Sequence, residues 1–208
     1  MYKLTIISDQ RCGSTSLART IHQMSGMKFW IEPNFNEFKN TIDSIGFKNF
    51  LEKMNHSEFI KTLDESYVGG SVEECDALKC DYKTINLCID EVIGYSNFVI
   101  ILLRKNLFEQ ALSRWIGEHT DIWHVDEVGD VDYYNLEVPE ISLEEVNQRV
   151  KVLAENKQHM IESVTKGTTN HRIIYYEDNI PFLSGNKLNT KLEMIKNYKE
   201  LKEKFSFQ

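Results

Sequence analysis

An arginine, a glycine and three hydroxyl side chains stand together in Arg11-Cys12-Gly13-Ser14-Thr15-Ser16, shortly after the apolar run Leu4-Thr5-Ile6-Ile7. Glycine lets a backbone approach a ligand closely. The first amides of a helix have no internal partners and point at whatever precedes them, which suits an anion. Arginine adds a planar fork that matches oxyanions. The spacing therefore predicts a grip for a phosphate-like group. The lysine-bearing nucleotide loop, GxxxxGKS or GxxxxGKT, is absent, and so is the dinucleotide pattern GxGxxG. Nucleotide triphosphate hydrolysis and NAD binding lose support accordingly. The competing reading is a polar strand-to-helix turn that binds nothing.

A second group lies in Val99 to Trp115. Arg104 ends the most apolar run of the chain, Lys105 follows it, and Ser113 stands two helical turns further on. Open α/β sheets bind ligands where strands end and helices begin. An arginine there, with a serine on the following helix, can bracket another phosphate. An arginine that merely caps a sheet edge is the plainer alternative.

Groups able to take a proton are scattered. Glu32 sits in Phe29-Trp30-Ile31-Glu32-Pro33, and a carboxylate beside a polyanion suits a base. His119 and His124 fall in a segment without clear periodicity and compete as histidine bases, whereas His22 reads as a helix-surface residue. Trp123 is a candidate for stacking on a substrate; Trp30 and Trp115 read as core.

The elements that must hold these groups alternate between strand and helix. Residues 3–8, 28–31, 98–103 and 172–176 read as strands, and 82–85 as a further one. Helices are expected from about Thr15 to Ser25, around Phe47 to Met54, over 57–64, over 86–93, and from Asn106. Asn106 with Glu109 has the spacing of a capping box. Ser142 with Glu145 repeats it ahead of a long helix ending at Gly167. The tail from Lys187 reads as a lysine-rich amphipathic helix. Residues 119–141 are acidic and irregular, and so long a loop is usually functional. This alternation predicts an α/β protein with a mostly parallel central sheet flanked by helices.

At 208 residues, with 41% apolar and 27% charged residues, the chain suits one globular domain, residues 1–208. Its net charge of −8 argues against broad binding to nucleic acid. No secretory segment precedes the first strand and no apolar run spans a membrane. A cytoplasmic protein with reduced thiols is expected. Cys75 and Cys80 are too far apart for a CxxC pair, and buried or half-buried thiols are the expected state of the cysteines.

Both anion stretches resemble those of sulfotransferases that use 3'-phosphoadenosine 5'-phosphosulfate (PAPS). Gln10-Arg11-Cys12-Gly13-Ser14-Thr15 is similar to that family's 5'-phosphosulfate loop, usually written PRSGST or PKSGTT. Gln10 replaces its proline and Cys12 its serine. Arg104 followed by Ser113 is similar to its 3'-phosphate motif. The likeness is closest to the bacterial carbohydrate sulfotransferases of the trehalose type, whose LRRxNxxxQAxS corresponds to Leu103-Arg104-Lys105-Asn106, Gln110-Ala111 and Ser113. His119-Thr120-Asp121-Ile122-Trp123 resembles the QTGxW segment of that branch, and the YEDL segment is matched within Ile173 to Asn179.

The resemblance implies a nucleotide-kinase-like sulfotransferase fold and no metal. It implies transfer of a sulfuryl group from PAPS to a hydroxyl of a small molecule or carbohydrate, leaving 3'-phosphoadenosine 5'-phosphate. Arg11 would stabilise the transferring group. Cys12, Gly13, Ser14, Thr15 and Ser16 would hold the 5'-phosphate, and Arg104 with Ser113 the 3'-phosphate. Glu32 or His119 would act as base. Glu177 would anchor the fold near the site, and Lys83 stands where the family often has a lysine. A homodimer is suggested by the likeness. The acceptor pocket would come from residues 32–66 and 119–141, whose acidic character favours a neutral or cationic acceptor. Two rivals stand beside this reading: a small-molecule kinase of related fold, and a nucleotide-binding module without catalysis.

Overall fold

The computed structural model describes residues 1–55, 75–120, 138–178, 192 and 194–205. These gather into two compact units. One comprises Met1–Leu103 and Asn156–Leu183, the other Arg104–Glu155 and Ser184–Gln208.

The first unit contains a five-stranded, all-parallel sheet: β1 (Leu4–Ser8), β2 (Phe29–Ile31), β3 (Ala77–Asp81), β4 (Val99–Leu103) and β5 (His171–Tyr175), ordered β2-β3-β1-β4-β5. The predicted α/β class and mostly parallel sheet are thereby met. Leu4 pairs with Ala77 and Ser8 with Asp81 on one side of β1, and Thr5 pairs with Val99 on the other. Parallel strands bring all their carboxyl ends to one edge, so the turns after Ser8, Ile31, Asp81 and Tyr175 share that edge.

β1 and β4 are buried throughout, as strands covered on both faces are. Period-two alternation splits their side chains between two cores. Leu4, Ile6, Ala77, Ile100 and Leu102 pack with Leu17 and Ala18 of α1 (Ser14–Ser25). Ile7, Leu78, Cys80, Val99, Ile101 and Leu103 form the other core. That face is covered by α2 (Lys39–Ile45), α3 (Phe47–Asn55), α4 (Tyr82–Ile85), α5 (Ile89–Gly94) and the end of α7 (Leu143–Gly167). Phe35 meets Trp30 and Phe47 edge to face, with centroids 5.4 and 5.0 Å apart. The edge strands differ: β2 has only three residues, and β5 is partly exposed.

The second unit is helical, with α6 (Leu107–Thr120), the first part of α7, and α8 (Tyr198–Phe205). Phe108, Leu112, Trp115, Ile116, Val146, Tyr198 and Leu201 contribute to its core. The Asn106 cap forms as the sequence predicts, its Oδ1 accepting the Glu109 amide at 3.0 Å. Ser142 likewise accepts the Glu145 amide at 3.1 Å.

Two expectations are corrected. Tyr82–Ile85 is helix rather than strand, because the Asp81 side chain accepts the Lys83 amide and caps a turn there. The strand is the preceding Ala77–Asp81, and the helix expected over 86–93 forms only as α5, Ile89–Gly94. The helix expected over 57–64, most of 119–141 and the start of the tail at Lys187 lie outside the described residues. No helix among the described residues is long and apolar enough to cross a membrane.

Ile101 is fully buried in the strand next to the middle of the sheet. Truncating it leaves a cavity that its neighbours can close only in part. Ile101→Ala is expected to lower unfolding stability by about 2–5 kcal/mol in urea titrations followed by circular dichroism.

Candidate functional site

The turn after β1 is fastened at its first residue. Asp9 is 3% exposed; its Oδ1 accepts the Gln10 amide at 2.7 Å and its Oδ2 accepts Nδ2 of Asn156 at 2.8 Å. Arg11 then takes a left-handed backbone, φ 67°, and Gly13 another, φ 78°. Gly13 is the N-cap of α1, a residue with no side chain to offer as a cap, and its carbonyl accepts the Leu17 amide. A glycine N-cap offers no side-chain oxygen to the first amides of α1, which point toward the turn. Ser14 and Thr15 are buried beside it, and Cys12 is buried in the α1-side core. Ser16 lies on the exposed side of α1.

Glu32, the first residue after β2, also has a left-handed backbone, φ 54°. Among the described residues, Arg11 and Glu32 are the non-glycine positions with positive φ. Such conformations cost side-chain-bearing residues free energy and persist where surrounding contacts impose them. At Glu32 the contacts are on β3. Its amide donates to the Lys79 carbonyl at 2.7 Å, and its Oε1 forms an ion pair with Lys79 Nζ. The lysine side chain is 4% exposed and the glutamate 45%. Pro33 favours an extended residue before it, so the left-handed Glu32 is held against that preference too.

Two places along β3 from Lys79, and so on the same face of the sheet, is Asp81. Burial pushes its carboxyl up to about 6. The Lys83 amide opposes the shift, the charges of Asp9 and Glu32 add to it, and Lys79 offsets it. Tyr82, next in sequence, shares a hydrogen bond with His159 Nδ1. Lys79, Asp81, Asp9 and Asn156 are members of this edge that the motifs do not mark. For the first two a signal exists: a lysine and an aspartate alternate with apolar residues in Ala77-Leu78-Lys79-Cys80-Asp81, as polar groups on one face of a buried strand would.

The second unit holds the other candidates. Arg104 is 3% exposed and has Nη2 3.6 Å from Oε2 of Glu109. Ser113 is fully buried on α6. His119, expected in an irregular segment, instead lies in the last turn of α6. Its Nδ1 is 2.9 Å from the Trp115 carbonyl, and its ring rests on Trp115 with centroids 3.5 Å apart. In this contact Nδ1 is the donor and the carbonyl the acceptor. Arg149 lies over the Trp115 ring, 4.8 Å from its centroid, and pairs with Glu118 and Glu145.

The remaining candidates are placed simply. His22 is exposed and bonds the Met27 carbonyl at the helix surface. Trp30 and Trp115 are core residues, as expected. Lys83 is exposed, and Glu177 lies in the turn after β5. Trp123, His124 and Asp121 lie outside the described residues. All four cysteines are thiols; Cys12, Cys80 and Cys88 are buried and Cys75 half-buried. Burial raises the Cys80 and Cys88 thiols, the latter to about 11. Comparison with models of protein families and with curated proteins finds no match to the chain.

Because burial disfavours its ionised form, Asp81 binds a proton more tightly folded than unfolded. Its contribution to stability is therefore full below about pH 4 and is lost as pH rises through about 6. Asp81→Asn keeps an oxygen for the Lys83 amide. It is expected to match the parent protein at pH 4 and to exceed it by about 1–3 kcal/mol at pH 8 in urea denaturation.

Proposed function

We propose that the chain is a sulfotransferase moving a sulfuryl group from PAPS to a hydroxyl of a small molecule or carbohydrate. The carrying observation is the pair of left-handed, non-glycine residues, Arg11 and Glu32, at the carboxyl edge of one parallel sheet. One is a cation that leads a helix start without a side-chain cap, and the other a carboxylate held by a buried lysine. An anion-binding turn without a lysine, on the same sheet edge as a fixed carboxylate, suits a donor that carries its own leaving phosphate and an acceptor that must lose a proton. The parallel sheet with its anion turn after the middle strand supports the finer reading of a nucleotide-kinase-like sulfotransferase fold.

In this mechanism the α1 amides, Gly13, Ser14 and Thr15 hold the 5'-phosphate of the donor. Arg11 lies against the sulfuryl group. The acceptor oxygen attacks sulfur in line as the bond from sulfur to the bridging phosphate oxygen breaks. Negative charge that builds on that oxygen is met by the guanidinium and the helix amides, whose positions are set in advance. The acceptor's hydroxyl proton passes to Glu32, whose carboxylate is held in place by the ion pair with Lys79 and whose half-exposed side chain can reach a substrate. The motif resemblance assigns Arg104 and Ser113 to the 3'-phosphate. It leaves His119 to orient the acceptor or to replace Glu32 as base.

Ligand binding to the native state raises the melting temperature by mass action. The melting temperature is expected to rise with 3'-phosphoadenosine 5'-phosphate and to stay unchanged with ATP and magnesium. A shift with ATP alone overturns the reading in favour of a kinase. Binding of the bisphosphate with no transfer across a broad panel of acceptors leaves a binding module.

The two arginines divide the work. Arg11→Ala is expected to lower kcat about a hundredfold or more with a smaller change in bisphosphate affinity, as loss of a transition-state contact does. Arg104→Ala should instead weaken bisphosphate binding about tenfold or more by calorimetry. The reverse pattern in kinetics and calorimetry removes these assignments.

A further inference from the structure

We infer that Asn156, on α7, is a positioning residue that sets the anion turn through Asp9; the ligand named for the turn rests on the sulfotransferase reading. A carboxylate buried just ahead of an anion-binding turn opposes the charge of its ligand. Its presence there calls for a geometric role. Asp9 is 3% exposed, and each of its oxygens accepts a bond from a different part of the chain: Oδ1 from the Gln10 amide, Oδ2 from Asn156 Nδ2. The first bond fixes the Asp9–Gln10 peptide, one residue ahead of Arg11. The second ties that carboxylate to a helix 147 residues away in sequence.

The left-handed Arg11 backbone follows two residues after Asp9. With the carboxylate clamped, Gln10 is anchored at its amide, and a relaxation of the Arg11 backbone that displaced Gln10 would strain a bond to a buried oxygen. Neighbouring residues of α7 meet other turns at the same edge. Lys157 stands 5.1 Å over the ring of Tyr175 at the end of β5, and His159 bonds Tyr82 after β3. One short stretch of α7 thus touches the residues just after β1 and β3 and the last residue of β5. Asn156 acts on the ligand only through Asp9 and the turn.

The test exploits the chemistry of the pair. Asn156→Asp sets two carboxylates against each other. Adding Asp9→Asn restores an amide-to-carboxylate bond with the two roles exchanged, and the oxygen of the introduced amide still accepts the Gln10 N–H. Two readouts are taken in the parent, both single variants and the double variant: affinity for 3'-phosphoadenosine 5'-phosphate by calorimetry, and hydrogen exchange of the 10–13 amides without ligand. Asn156→Asp is expected to weaken binding about tenfold and to speed exchange in the parent background, yet to change affinity within about twofold in the Asp9→Asn background. Equal effects in both backgrounds, or unchanged exchange in Asn156→Asp, overturn the inference. Should Asn156→Asp fail to fold, Asn156→Ala gives the same two readouts and must show faster exchange at 10–13. Absence of bisphosphate binding by the parent protein overturns the sulfotransferase reading instead, while exchange still decides the role of Asn156.

Discussion

A lysine buried in the middle of a covered strand cannot stand without an anion. Removing an ammonium from water costs several kcal/mol unless a partner and hydrogen bonds compensate. In this protein Lys79 meets that demand with Glu32, and the shape of the carboxyl edge follows. The partner comes from the neighbouring strand: β2 stops after three residues and the chain turns sharply at Glu32. The turn takes a left-handed residue, the amide of Glu32 returns to the Lys79 carbonyl, and Pro33 leads the chain away. Asp81, two places further along β3, shares the same face and is buried where its charge is disfavoured. One buried cation thus organises a carboxylate open to solvent and lies beside a second carboxyl that titrates closer to neutrality.

The turn after β1 is built by a different device, because its form is set by backbone. Arg11 and Gly13 take left-handed conformations, and the helix start is left to its own amides. Asp9 fastens the turn from behind. In the helical unit, Arg149 does comparable work. It lies over Trp115 while pairing with Glu118 and Glu145, and so fixes the α6 surface on which His119 rests. Burying the Trp115 ring leaves its Nε1 without a hydrogen-bond partner among the described residues, which shows how far packing rather than polarity sets that corner.

What can be read in advance divides along range. β1 and β4 are unbroken apolar runs, α1 and α7 have regular periodicity, and the Asn106 and Ser142 caps are local signals; each is where the sequence places it. β3 escapes because Lys79 and Asp81 give it the look of a surface turn, while Tyr82–Ile85 mimics a strand through its apolar and aromatic residues. The acidic residues after His119 mask the end of α6. Arg11 through Thr15 and Glu32 are legible as residue types in context. Their partners are not, since Lys79 lies 47 residues from Glu32 and Asn156 lies 147 from Asp9, and no local pattern joins them. Ser16, counted with the grip, turns outward because helical periodicity carries it past the inward-facing side.

The left-handed backbones at Arg11 and Glu32 carry an evolutionary consequence. At both positions glycine would relieve the strain, while removing the side chain that gives the position a use. Selection for stability alone therefore drives these two sites toward glycine, and selection for the side-chain chemistry drives them away. The sheet edge is a place where the two pressures oppose each other residue by residue. A lineage released from need of these side chains would record the change there before anywhere in the core.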